Sequence, residues 1–149
     1  MKYSFELNHI ENKSEQEKIV WKNWRVGVMS ASSNLNVSAV KNGEAVGKIL
    51  ASSGYDAVNG GYAVGGMGAL AKGFQEECKK RGLDDKEIEK HFLASVMSED
   101  MTGAKMAAQR TYINPAQKVE SNSLSERLGN IINNSDATFV LSGGAGTHM

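Results

Sequence analysis

Apolar residues in this chain fall into short runs, each closed by small or turn-forming residues, with longer periodic stretches between them. Arg25-Val26-Gly27-Val28-Met29-Ser30 runs into Ala31-Ser32-Ser33, which predicts a buried strand followed by a turn. Val37, Val40, Val46, Ile49 and Leu50 then recur at roughly three- and four-residue intervals, and Gly54 stands where a helix end is capped. Tyr55-Asp56-Ala57-Val58 predicts a second strand, broken by Asn59-Gly60-Gly61. Met67, Leu70, Ala71, Phe74 and Cys78 share one face of a second helix, which Gly82 closes. Strand, helix, strand, helix is the order of parallel βαβ units, whose crossovers lay helices on the faces of a sheet.

From 84 to 122 the pattern blurs. Asp84 with Glu87 resembles a helix start, Phe92-Leu93-Ala94-Ser95-Val96-Met97 suits a third strand, and the stretch around Pro115 reads as loop and short helix. Ser123 and Glu126 then make a capping-box pair ahead of an apolar stripe of Leu124, Leu128, Ile131 and Ile132. Ala137-Thr138-Phe139-Val140-Leu141 predicts a last buried strand, followed directly by Ser142-Gly143-Gly144-Ala145-Gly146-Thr147. The expected fold is therefore α/β, a Rossmann-like open parallel sheet with helices on both faces. It divides into a polar N-terminal extension over 1–24 and a nucleotide-binding domain over 25–149.

Composition narrows the functions open to such a fold. Seventeen basic residues balance seventeen acidic ones, so there is no basic excess of the kind that nucleic-acid binding needs. Lys79-Lys80-Arg81 is flanked by acids and reads as a solvated helix end, and Asp84, Asp85, Glu87 and Glu89 read as a solvated helix face. The single cysteine, Cys78, precludes an internal disulfide and a cysteine-built zinc site. The three histidines, His9, His91 and His148, are scattered, and His91 and His148 have no carboxylate or cysteine at a recognisable spacing, so no metal site and no cofactor are expected. The charged N-terminus lacks an apolar signal core and no run is long enough to cross a bilayer, so the expected location is the cytoplasm, with no membrane partner.

The candidate chemistry sits at the carboxyl ends of the predicted strands, where open parallel sheets bind ligands. Ala31-Ser32-Ser33, the Gly60–Gly68 segment and Gly143–Thr147 each follow a strand. Glycine lets backbone amides approach a phosphate, and a helix N-terminus adds about 0.3–1 kcal/mol for an anion at an exposed end. One such turn could serve chain reversal alone; three after three strands favour a phosphate ligand. Arg127 borders the apolar stripe of its helix, a position equally suited to a snorkelling surface arginine and to a donor reaching across the strand ends.

Taken together, Gly60-Gly61-Tyr62-Ala63-Val64-Gly65-Gly66-Met67-Gly68, Glu126-Arg127, Ser135-Asp136-Ala137 and Ser142-Gly143-Gly144-Ala145-Gly146-Thr147 resemble the motifs of the Lonely Guy (LOG) family, with Ser30-Ala31-Ser32-Ser33 similar to its first turn. The resemblance spans about residues 25–149. It implies a homodimeric nucleoside 5′-monophosphate phosphoribohydrolase, which cleaves the N-glycosidic bond to release base and ribose 5-phosphate. On that likeness Gly143, Gly144, Gly146 and Thr147 would hold the phosphate. Ser32, Ser33, Gly60, Gly61, Gly65 and Met67 would line the nucleotide, and Arg127 would be the catalytic arginine. The family's glutamate would fall one residue past Met149, so the resemblance also implies a C-terminally shortened form of a longer protein. Tyr62 stands where the family has glycine, Gly66 where it has leucine, and Ser142 where it has proline. The alternative is a non-catalytic nucleotide or molybdenum-cofactor binding or carrier module on the same fold.

Overall fold

The computed structural model describes residues 17–30, 37–98 and 116–141. Five strands form one sheet: β1 (Arg25–Met29), β2 (Asp56–Asn59), β3 (Phe92–Met97), β4 (Gln117–Ser121) and β5 (Ala137–Val140), in the order β4-β3-β2-β1-β5. All four pairings are parallel, with Gly27 opposite Val58, Val58 opposite Leu93 and Val28 opposite Phe139 among the registered partners. The chain steps outward from β1 to β4 and then returns to the other side of β1, which makes the β1–β5 boundary the topological switch point. The Rossmann-like α/β expectation holds.

Helices cover both faces. On one face α1 (Val37–Ser53) and α2 (Gly65–Lys80) pack over Val26, Val28, Ala57, Phe92, Ala94 and Val96. On the other, α4 (Leu124–Asn133) sets Ile131 against Val58 and Leu93. The alternation is the strand period of two: Val58 and Leu93 turn away from the face that Ala57, Phe92 and Ala94 build. A short helix, α3 (Asp85–Glu89), starts at the Asp84–Glu87 pair expected to open a helix, which forms a full capping box, and it buries Ile88. Ser123 Oγ accepts the Glu126 amide at 3.0 Å, while the reciprocal Glu126 carboxylate takes the Asn122 amide rather than that of Ser123.

Three expectations need correction. The stretch read as loop and short helix ends in β4, whose Gln117-Lys118-Val119-Glu120-Ser121 carries one apolar residue. An edge strand is held by its backbone ladder to β3 and tolerates charge on its faces, so hydrophobicity gives no signal there. The last strand, expected to be buried, is exposed along its length, with Phe139 at 52% and Val140 at 51%, because it lies at the sheet edge among the described residues. In α1 the expected apolar face is displaced: Val37 and Ile49 face solvent, whereas Ala39, Gly43, Gly47, Leu50 and Ala51 are buried.

That substitution of small residues for large ones has a steric cause. A methyl group on Gly43 would stand 2.6 Å from the Gly66 carbonyl oxygen, one on Gly47 would overlap the Leu70 carbonyl, and one on Gly73 would overlap that of Glu44. Backbone meets backbone where α1 crosses α2, and only glycine permits it. Gly54, at φ +81°, ends α1 where the capping residue was expected.

The lead-in before β1 also enters the core. Ile19 is buried, and Trp21 stacks on His91 with ring centroids 3.6 Å apart and tilts against Phe74. His91, unpaired in the sequence reading, places Nδ1 2.8 Å from the Asp56 carboxylate, a partner 35 residues away that spacing could not reveal. This cluster fills the amino ends of β2 and β3. His9 and His148 lie outside the described residues.

Cys78 is fully buried, and burial, with Glu77 assisting, pushes its thiol up to about 12. Its native thiol should therefore resist a thiol-reactive dye at pH 8 and become reactive only on unfolding, as dye release with and without denaturant would show. Because the folded value is the raised one, the thiol's contribution to stability is intact below pH 9. It falls as pH rises from there towards 12, where the unfolded chain ionises first.

Candidate functional site

The β2–β3 ladder ends at Asn59 opposite Ala94. The residues that follow are Gly60, just past β2, and Ser95 within β3, and both carbonyls are taken by one side chain from α4. Arg127 Nε donates to the Ser95 carbonyl at 3.0 Å and Nη2 donates to the Gly60 carbonyl at 3.0 Å, with Met67 Sδ 3.3 Å from the same Nη2. Ser95 Oγ in turn donates to the Arg127 carbonyl at 2.8 Å. The guanidinium clasps two strands where their own pairing stops, and it fixes α4 to the sheet.

Arg127 is only 8% exposed, so the snorkelling alternative is ruled out. Burial pushes its guanidinium below the ordinary arginine value, with the Tyr62 phenol opposing that shift. The Tyr62 ring lies 4.9 Å below Cζ, a cation–π placement, and Tyr62 Oη accepts the Met97 amide at 3.1 Å. Among the described residues no carboxylate pairs with Arg127.

Local sequence explains how the turn after β2 reaches this geometry. Asn59 is buried, accepts the Gly61 amide on Oδ1 at 2.9 Å and donates through Nδ2 to the Met67 carbonyl at 3.0 Å, tying both ends of the β2–α2 connection together. Gly60 has no room for a methyl, which would overlap the Arg127 guanidinium. Gly61 sits at φ +79° with Val96 2.5 Å and Ala94 2.8 Å from its missing side chain. Both glycines thus answer to packing as well as to any ligand.

Of the residues singled out from the sequence, Arg127, Gly60 and Met67 are in direct contact, and Gly61 and Gly65 belong to the same turn and helix start. Ser32, Ser33, Gly143, Gly144, Gly146 and Thr147 lie outside the described residues. Sequence reasoning passed over Asn59, Tyr62 and Ser95. An asparagine closing a strand just ahead of Gly-Gly is the one signal that pointed to the first; the other two are recognised only by where the sheet puts them. Among the described residues there is no group of histidine, cysteine and acidic side chains able to hold a metal, and no helix is long and apolar enough to cross a membrane.

Arg127, the Gly60–Gly61 turn and the first turn of α2 thus gather a buried positive charge, a helix N-terminus and close-approach glycines at the carboxyl ends of parallel strands. Such an arrangement can hold an anion. No protein-family model and no curated protein matches the chain. Among solved structures it is similar to the Moco carrier protein from Chlamydomonas reinhardtii, with a TM-score of 0.55 and 18% sequence identity over 85% of this chain. The chain spans 66% of the length of that protein. At that identity the likeness speaks for the fold.

Proposed function

We propose that this chain binds a small phosphate-bearing ligand, a nucleotide or a pterin cofactor of the molybdenum type, at the carboxyl ends of its strands, and serves as a binding or carrier module. One observation carries this reading: Arg127 is buried beside the start of α2 with no carboxylate partner among the described residues, so its charge remains for an anion. Burying an unpaired charge costs several kcal/mol, and a ligand phosphate would offset that cost. The fold shared with a cofactor carrier supports the same reading by analogy.

A nucleoside 5′-monophosphate phosphoribohydrolase of the Lonely Guy type is the second reading. It is favoured by the contact between Arg127 and Gly60, which that family resemblance assigns to one ligand. Hydrolysis of an N-glycosidic bond calls for a carboxylate beside the sugar, and Arg127 has none in contact among the described residues. The two readings separate in one experiment: incubation with adenosine 5′-monophosphate and with molybdopterin, following binding by calorimetry and base release by chromatography. The carrier reading expects binding that requires the phosphate, with the ligand recovered intact. Free adenine with ribose 5-phosphate would establish the hydrolase instead, and absence of binding to every phosphate ligand would end the proposal.

A further inference from the structure

Ser30 directly follows β1 and is only 8% exposed, yet its Oγ has no hydrogen-bond partner among the described residues. A buried hydroxyl left without a partner costs free energy, and such groups are rare in folded proteins. This one lies against the first turn of α2: a methyl group on Gly66 would overlap Ser30 Oγ, and would stand 2.7 Å from its Cβ. The Ser30 hydroxyl takes the space that a side chain at position 66 would need, so it packs directly against the start of α2.

The helix start it faces is itself uncapped. Val64 occupies the N-cap with an apolar side chain and makes no capping bond, and the first intrahelical bond runs from Gly68 to the Val64 carbonyl. The amides of Gly66 and Met67 donate to no atom of the described residues. Neither α1 nor α2 carries an acid in its first turn, and the Glu44 and Glu76 carboxylates that line the cavity beside Gly65 and Gly68 share it with Lys72 and Lys79. Arg127, on the far side of the same turn, touches Met67 Sδ.

From this convergence we infer that the first turn of α2 is an oxyanion site, in which the Gly66 and Met67 amides and the Ser30 hydroxyl hold a tetrahedral phosphate monoester. This deepens the proposed ligand binding and rests on it, but it assigns the phosphate to the start of α2 and gives a role to Ser30, which the family resemblance includes in its first turn without one. Ser30 acts as a binding residue that supplies a neutral donor between the helix start and the sheet edge. A hydroxyl can donate to a phosphate oxygen as well as a backbone amide can, and unlike lysine it adds no charge for an unliganded protein to bury.

The test uses the full chain, with inorganic phosphate, adenosine 5′-monophosphate and adenosine as probes at fixed ionic strength. In amide correlation spectra the first two should shift the Gly66 and Met67 resonances and adenosine should not. Ser30→Ala should weaken phosphate and the monophosphate on the order of tenfold. It should leave the unliganded melting temperature unchanged or higher, because it removes a hydroxyl that had no partner. Tighter binding of the monophosphate than of inorganic phosphate would assign the site to the ligand's own ester, and equal binding to free phosphate; both agree with an oxyanion site. Wild-type affinity for both anions in Ser30→Ala would overturn the inference while the carrier reading stood. So would Gly66 and Met67 resonances unmoved by phosphate, a measurement on the wild-type protein that needs no variant to fold. If wild-type protein bound neither anion, the proposed function would fall first and this site with it.

Discussion

Replacing Gly47 by valine should abolish cooperative folding, and replacing it by alanine should cost about 2 kcal/mol, read as a lower urea midpoint at unchanged slope. Alanine is the better helix former by about 1 kcal/mol, so on an isolated helix the change would stabilise. Here the new methyl would overlap the Leu70 carbonyl and stand 2.8 Å from the Phe74 amide nitrogen, both backbone atoms of α2 that no rotamer change can move. The helices must separate, and Gly43 against Gly66 and Gly73 against Glu44 would lose their contact together. Gly129 of α4 is the control: nothing lies within 4 Å of a methyl there, so Gly129→Ala should stabilise by about 0.5–1 kcal/mol. Equal destabilisation by both substitutions would mean that the α1–α2 crossing does not depend on its glycines.

Arg127→Met should destabilise the fold by roughly 3 kcal/mol and weaken any phosphate ligand more than tenfold. Methionine keeps much of the length and the apolar stem, so the loss reports the two carbonyls of Gly60 and Ser95 left without donors in a buried place. Arg127→Lys separates the two roles. Lysine retains the charge but not the planar fork that reaches two strands at once, so ligand binding should recover further than stability does. Denaturant midpoints measured beside phosphate titrations would show the split. Wild-type stability in Arg127→Met would refute the clasp, whatever happened to the ligand.

Much of the fold was legible in the sequence because the central strands and helices carry their own signals. β1, β2 and β3 are short apolar runs ended by small residues, and α2 has its apolar face at the expected spacing from Met67 to Cys78. Elements at the margins were not legible. β4 has almost nothing apolar to show, and β5 has an apolar run that the sheet leaves exposed, so hydrophobicity failed in opposite directions at the two edges. In α1 the contact face is built of glycine and alanine, residues that a search for large apolar side chains ignores.

The sequence by itself determined a parallel α/β order, glycine-rich turns at strand ends, and an arginine placed on the boundary of an apolar stripe. Each of these follows from local periodicity and from conformations that only certain residues adopt. The tertiary structure alone decided that Arg127 turns inward to close β2 against β3, that Ser30 meets Gly66, and that His91 finds Asp56. Those pairings join residues 32 to 67 positions apart or meet across separate elements, and they exist only once strand order and helix crossing have been fixed. Spacing along the chain carries no record of them, because a parallel crossover brings distant residues together by geometry and not by period.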